Sequence, residues 1–297
     1  MRDRFQREID YIRISVTDKC NFRCRYCMPE EGVETIPHSE VLSFEEIVRV
    51  VSVLSELGIK KVKITGGEPL VRRDICTLIQ KIAKISGIED ITLTTNGFLL
   101  GEMAEQLKRA GIRTINVSVD TLNRREFADI CRRDGLDQVL DSIEKAKNLG
   151  LEIRINTTVS EESNLEELFE LLEYFVNRDI PVRFIELMPI GCGHGSRVKN
   201  QDLQKMLKKR YPDFVRSNFS GNGPAVYYTF GKNKKVGFIS AVHNKFCESC
   251  NRIRLSCDGK IKPCLASSLS YDIKAVLRSG GDDKKLKESL EQAIFYK

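Results

Sequence analysis

The chain has 297 residues, of which 48 are Lys or Arg and 42 are Asp or Glu, a formal net charge of +6; 41% are hydrophobic and 30% charged. That balance describes a globular chain with length for a sizeable core, and it excludes collagen-like, coiled-coil and low-complexity classes. No apolar run approaches the ~20 residues of a membrane helix, and the start MRDRFQREIDYIRISV lacks the apolar core of a secretory leader, so a cytoplasmic protein with no membrane partner is expected.

Short β-branched runs alternate with amphipathic stretches. The expected strands are Tyr11–Val16, Lys61–Thr65, Asp90–Thr94, Thr114–Val119, Glu152–Thr158 and Pro181–Leu187. This alternation marks βαβ units and a parallel sheet. Ser43 opens the helix after the first strand, with Glu46 three residues on as its capping-box partner and Gly58 as its stop. Gly111 and Gly150 close two later helices, and Asn164 opens another with Glu166 and Glu167 in its first turn. Six such right-handed units curl into an α/β fold, a partial (incomplete) TIM-like barrel whose ligands bind just after the carboxyl ends of the strands.

From about Gly191 the pattern changes. GCGHGS is followed by a helix near Gln201–Arg210, strand-like pieces at Ala225–Phe230 and Val236–Ile239, and amphipathic helices at Asp272–Arg278 and Asp282–Ile294. The expected division is a barrel over residues 1–190 and a small C-terminal α+β extension over 191–297.

Ten cysteines in a reducing compartment point to metal or redox chemistry rather than disulfides. Cys20, Cys24 and Cys27 follow the first strand in TDKCNFRCRYCMP, so one loop can aim three thiolates at one centre. A closed zinc site takes four ligands and a 4Fe-4S cluster normally four thiolates. Three therefore leave one iron open to a non-protein ligand, unless a distant cysteine completes a zinc knuckle. Cys247, Cys250 and Cys264 form a second set with Cys257 between them; a three-thiolate cluster and a closed four-thiolate zinc site both suit that spacing.

Beside the second set, Arg252 and Arg254 share one strand face and offer planar donors to phosphate oxygens or to acceptors of a base. In TGGEP the glycines permit close backbone approach, and Glu68 offers a carboxylate to an ammonium group. Cys76 and Cys131 fit buried small apolar positions, and Cys192 beside His194 supplies too few ligands for a metal site. The mild positive charge suits an anionic ligand. Basic residues interspersed with acidic ones argue against a nucleic-acid partner and against a zinc-stabilised nucleic-acid-binding module.

The C-x3-C-x2-C loop with Tyr26, followed by Thr65-Gly66-Gly67-Glu68-Pro69, resembles the radical S-adenosylmethionine superfamily. With RISVTDKCNFRCRYCMP, ITGGEPLVR, TLTTNG, INVSVDTL, RFIELMPIG and CESCNRIRLSCDGKIKPCL in this order, the chain is similar to the family that cyclises GTP in molybdenum cofactor biosynthesis. The resemblance implies two 4Fe-4S clusters, one on Cys20, Cys24 and Cys27 and an auxiliary one on Cys247, Cys250 and Cys264. It places Tyr26, Gly67, Ser118 and Met188 around S-adenosylmethionine, whose sulfonium is split to a 5′-deoxyadenosyl radical that takes the ribose 3′ hydrogen of GTP.

GTP would be held by Arg13, Lys63, Thr94, Arg154, Arg252, Ile253 and Arg254, of which Arg13, Arg252 and Arg254 are the catalytic set. Lys63 stands where the family commonly has arginine, and Arg154 where it commonly has lysine. An electron donor, hand-off of product to a cyclic pyranopterin monophosphate synthase, and a monomeric or homodimeric state are further implications. A peptide-modifying radical enzyme with an auxiliary cluster is the other enzyme reading, and the Arg252/Arg254 pair favours the nucleotide.

Overall fold

The computed structural model describes residues 1–195, 197–219 and 221–297. Six strands alternate with helices through the first part of the chain: β1 (Tyr11–Ser15), β2 (Lys61–Thr65), β3 (Asp90–Thr95), β4 (Thr114–Ser118), β5 (Glu152–Val159) and β6 (Val182–Glu186). Between them run α1 (Phe44–Glu56), α2 (Ile75–Ala83), α3 (Leu100–Arg109), α4 (Arg124–Cys131), α5 (Leu136–Asn148) and α6 (Leu165–Val176). The expected capping box at α1 is present: Ser43 Oγ accepts from Glu46 N and the Glu46 carboxylate accepts from Ser43 N. Gly58, Gly111 and Gly150 take positive φ after their helices, the conformation glycine adopts without a Cβ penalty.

The second part contributes α7 (Asn200–Arg210), β7 (Val215–Arg216), β8 (Val226–Phe230), β9 (Lys234–Ile239), β10 (Arg252–Leu255), β11 (Lys260–Lys262), β12 (Tyr271–Asp272), α8 (Ile273–Arg278) and α9 (Asp283–Phe295). Its strands join the first six. Among the described residues one sheet runs β12-β11-β10-β1-β2-β3-β4-β5-β6-β9-β8-β7, parallel from β10 to β9 and antiparallel at both ends. A six-stranded partial barrel leaves an unpaired edge at β1 and another at β6, and unpaired edges are liabilities that proteins cover. Here β10 covers the first and β9 the second.

Alternation sorts the side chains of the parallel strands. Ile12, Ile14, Val62 and Ile64 are fully buried and pack with Ile47, Val50, Val51 and Leu54 of α1 in the core. Their neighbours Tyr11, Arg13, Lys61 and Lys63 face the concave side. A closed TIM barrel fills that space with branched apolar side chains; here the lumen is polar and cationic. Outside, α9 packs on α1, with Arg49 Nε 2.8 Å from Asp283 Oδ1 and Arg49 Nη2 donating to Gly281 O at 2.6 Å.

Ile12, 0% exposed in the parallel part of this sheet, is a sensitive point for the fold. Ile12→Ala is expected to lower unfolding free energy by about 2–5 kcal/mol through lost burial and a residual cavity, read as a lower urea midpoint at unchanged slope.

Candidate active site at the carboxyl ends of the strands

The first cysteine loop leaves β1 and is laced to the loop after β2. Val16 N donates to Thr65 O at 2.9 Å, Gly67 N to Thr17 O at 2.7 Å and Glu68 N to Lys19 O at 2.8 Å. A Cβ on Gly67 would lie 2.6 Å from Asp18 O, so glycine is required there by the approach of the cysteine loop itself. Glu68, 1% exposed, does not face an open ligand position. Its Oε1 accepts from Leu70 N and Thr95 Oγ1 and its Oε2 from Asn96 N, joining the loops after β2 and β3. Asn96 Nδ2 donates to Asn21 Oδ1 at 2.7 Å, carrying the tie back to the cysteine loop. On the other side, Arg23 N and Arg25 N donate to Cys131 O and Ile130 O at the end of α4.

Cys20 and Cys24 are partly buried and Cys27 is exposed. Burial pushes the Cys20 thiol up to about 11 and raises Cys27 as well, each with the other loop thiols adding to the effect. Cys24 is raised by its hydrogen bond with Cys131 and by burial. Among the described residues no three potential ligands stand in preassembled metal geometry. The donor set nonetheless fits a cluster: three thiols on one short loop lie within each other's field, and cluster binding displaces the protons that burial retains.

Residues from several strands surround this loop. Tyr26 donates its hydroxyl to Asp120 Oδ2 at 2.7 Å, and Asp120 Oδ1 accepts from Thr158 N at 2.7 Å. Burial drives the Tyr26 hydroxyl well above its ordinary range. Ser118 ends β4 opposite Asn156, and Met188 follows β6 in a loop that returns to Cys27, where a Cβ on Gly191 would sit 3.0 Å from Cys27 O. A cavity of about 630 Å³ lies alongside, lined by Tyr26, Asp120, Thr158, Leu187, Cys192 and His194 among others.

Deeper in the lumen, strand register assembles the cations. Arg13 stands beside Arg254 on one side and Lys63 on the other, Tyr11 beside Arg252, Asn116 beside both Thr94 and Arg154, and Asn156 beside Arg183. Arg183 was not singled out in the sequence. Its signal was a charged residue between buried neighbours in VRFIE, where it is 6% exposed and donates to Asn116 Oδ1.

Burial disfavours the charged forms of Arg13, Lys63, Arg183 and Arg254, with neighbouring cations adding to it. Arg13 Nε, Arg183 Nε, Thr92 Oγ1 and Asn156 Oδ1 are buried without any hydrogen-bond partner among the described residues. Carboxylates are sparse: Glu152 pairs with Arg154 at 3.3 Å, and Asp90 accepts from Asn222. Buried charge without a counter-charge is costly, and the unpaired Arg13 and Arg183 Nε donors with the Thr92 hydroxyl suit an anion.

The second cysteine set closes the other end of the lumen. Cys250 Sγ lies 3.9 Å from Arg252 Nη2 and 3.4 Å from Lys297 Nζ. Burial acts to raise this thiol, but the Arg252 amide and guanidinium together with Lys297 carry it below its ordinary value. Cys250 and Cys264 both fall within the field of Arg254. Cys247 O accepts from Arg7 Nη1, itself held by Asp3.

Cys257 lies elsewhere: it is 5% exposed, its carbonyl accepts from Leu42 N at 2.8 Å, and its thiol neighbours Ser15 and Asp18. Ile253 is fully buried on the helix side, leaving only its backbone near the lumen. Glu186, the last residue of β6, accepts from Asn200 N, Val242 N and His243 N at 3.2, 3.0 and 2.9 Å, tying the Met188 loop to the segment that leads to Cys247.

A three-thiol loop at the mouth of a partial βα barrel, backed by Gly-Gly-Glu-Pro on the next strand, defines a radical S-adenosylmethionine enzyme. The profile described as "Radical SAM superfamily" matches residues 14–175, and that described as "Molybdenum Cofactor Synthesis C" matches residues 180–297. The GTP 3′,8-cyclase of Thermodesulfovibrio yellowstonii is 40% identical over 303 residues, covering 100% of this chain and 94% of the relative; that of Desulforamulus reducens is 43% identical over 304 residues with the same coverage. The chain belongs to the GTP 3′,8-cyclase family.

The fold is shared with Streptococcus suis SuiB bound to S-adenosylmethionine, at a TM-score of 0.67 and 16% identity over 97% of this chain and 67% of that one. It is shared too with anSMEcpe with bound AdoMet, at a TM-score of 0.61 and 19% identity over 87% and 75% of the two chains. Family membership implies 4Fe-4S clusters and S-adenosylmethionine as the cofactors.

The Gly67 contact gives a direct test of how the loop is held. Gly67→Ala is expected to cost about 1–3 kcal/mol of stability through overpacking against the Asp18 and Lys19 carbonyls. Thermal unfolding and iron content of anaerobically purified protein would both fall; unchanged values would show that the loop yields freely.

Proposed function

We propose that this chain is a radical S-adenosylmethionine lyase of molybdenum cofactor biosynthesis that converts GTP to (8S)-3′,8-cyclo-7,8-dihydroguanosine 5′-triphosphate. The observation that carries the reading is the lumen between the two cysteine sets, where Arg13, Lys63, Arg154, Arg183, Arg252 and Arg254 face one space with few carboxylates to offset them. A triphosphate supplies the missing negative charge, and guanidiniums bind phosphate oxygens in planar pairs.

In this reading residues 1–190 hold the first cluster on Cys20, Cys24 and Cys27, and residues 191–297 hold the auxiliary cluster on Cys247, Cys250 and Cys264. When bound, the first cluster would supply the electron for reductive cleavage of S-adenosylmethionine. Tyr26, Gly67, Ser118 and Met188 position that molecule at the mouth. Arg13, Lys63, Arg154 and Arg183 fix the triphosphate deeper in the barrel, with Thr94 beside them. Arg252, the Ile253 backbone and Arg254 orient the nucleoside against the auxiliary site, so that the ribose 3′ carbon and guanine C8 are held together while water is excluded. Such positioning is the main service a protein renders to a radical that reacts with whatever lies nearest.

No helix of the described residues is long and apolar enough to cross a membrane. The reading further places the enzyme in the cytoplasm as a monomer or homodimer, served by an electron donor and passing its product to a cyclic pyranopterin monophosphate synthase. A peptide substrate is disfavoured by the same lumen, whose buried cations a neutral backbone would leave unpaired.

Anaerobic incubation with S-adenosylmethionine and a reductant should yield 5′-deoxyadenosine that rises on addition of GTP; no rise above the GTP-free control would refute the substrate. Arg13→Ala is expected to weaken GTP binding by about 1.5–3 kcal/mol, the worth of a charged hydrogen bond, with iron content unchanged. Cys257→Ser should keep the iron of both clusters, whereas Cys264→Ser should lose about half of it, one cluster of two.

A further inference from the structure

β2 turns two lysines toward the concave side, Lys61 and Lys63, and the structure treats them differently. Lys61 Nζ lies 2.7 Å from Asp10 Oδ2, an ordinary ion pair. Lys63, two residues nearer the mouth, has no hydrogen-bond or ion-pair partner among the described residues.

Its surroundings are mostly cationic, with Asp90 the carboxylate within its field. β1 presents Tyr11 and Arg13, and β10 presents Arg252 and Arg254 beyond them. From across the lumen come Arg154 of β5 and Arg183 of β6. β3 presents Thr92 in register with Lys63, while Asp90 stands in register with Lys61 and is engaged by Asn222. Burial raises the Tyr11 phenol and keeps it neutral, so it supplies no counter-charge.

A crowd of like charges in a low-dielectric space is relieved by discharging its weakest member. A guanidinium delocalises its charge and does not give up its proton in proteins, whereas a buried lysine does so readily. Burial, followed by the fields of Arg183, Arg13, Arg154 and Arg252, carries Lys63 well below its ordinary range. The family resemblance puts arginine commonly at this position, and an arginine would stay charged whether or not ligand is bound.

Resting on the GTP reading above, we propose that Lys63 enters substrate binding as the neutral amine and leaves it as the ammonium, so that the triphosphate is taken up together with one proton. The proton comes from solvent and is bound by the Nζ lone pair; the phosphate oxygens supply the negative field that holds it there. Lys63 thereby makes substrate affinity fall with rising pH, because the proton that binding demands becomes scarcer. In a chain with arginine at this place the same step carries no proton.

The test is anaerobic titration calorimetry of the cluster-loaded enzyme with GTP in two buffers of different ionisation heat. At about pH 8.5 the terminal phosphate, with its second pKa near 6, is already deprotonated and adds nothing to the count. The parent enzyme is expected to take up protons on binding GTP, at most one per GTP, and to lose affinity with rising pH by up to about tenfold per unit above the point where free Lys63 discharges.

Lys63→Arg should bind GTP with no uptake and a flat pH dependence. Lys63→Met, an unbranched side chain one atom shorter and without the charge, should bind more weakly and also without uptake. Iron content and circular dichroism of each variant report whether it has folded. Equal proton counts in the parent and in either folded variant would overturn the proposal while leaving GTP as substrate; failure of the parent to bind GTP would overturn the substrate reading and this inference together.

Discussion

Repulsion among buried cations organises this molecule. Arg13, Lys63 and Arg183 sit in the barrel lumen with their polar neighbours Thr92 and Asn156 partly unpaired, an arrangement that folding alone disfavours. The surrounding framework tolerates it because the outward faces of the same strands are packed with Ile and Val against the helices. Strand alternation thus divides the labour: odd positions of β1 face the lumen and even positions stabilise the sheet. Marginal stability at a binding site is a common consequence of building it before its ligand arrives.

Around that lumen the loops are joined to each other more than to the helices below them. Gly67 and Glu68 bind the Thr17–Lys19 backbone, Glu68 holds Thr95 and Asn96, and Glu186 collects amides from three separate positions. Each tie places a buried carboxylate or a close backbone approach where a substitution would leave an unpaired group or a clash. The cysteine loop and the Met188 loop are consequently constrained by their neighbours.

Much of this was legible in the sequence because it depended on local chemistry. The capping box of Ser43 and Glu46, the glycine stops at Gly58, Gly111 and Gly150, and the six strands are written in short windows, and all appear where expected. Residues singled out from motifs lie on the cysteine loop, at the carboxyl ends of β2, β4 and β6, along the lumen, and at the second cysteine set. What was not legible depended on pairing between distant segments. Nothing local in NRIRLS shows that β10 will lie beside β1, nor in KKVGFI that β9 will lie beside β6. Arg183 is recognisable as a lumen residue only once the pairing of β6 with β5 is known. Glu68 was assigned to a ligand for the complementary reason: the amides of Leu70 and Asn96 that occupy it are invisible in the motif.

The pairing of β10 with β1 has a consequence for how the two ends of the site relate. Parallel strands lie about 4.8 Å apart, and side chains alternate between faces with a period of two residues. With Tyr11 opposite Arg252 and Arg13 opposite Arg254, the strand that launches the first cysteine loop and the strand that follows Cys250 form one ladder. A slip of a single residue would turn both arginines of β10 into the hydrophobic layer and bring Ile253 into the lumen. The separation between the two cysteine sets is therefore a ruler cut into the backbone. It is counted in hydrogen bonds, and neither a hinge between halves nor the drift of a linker can lengthen it.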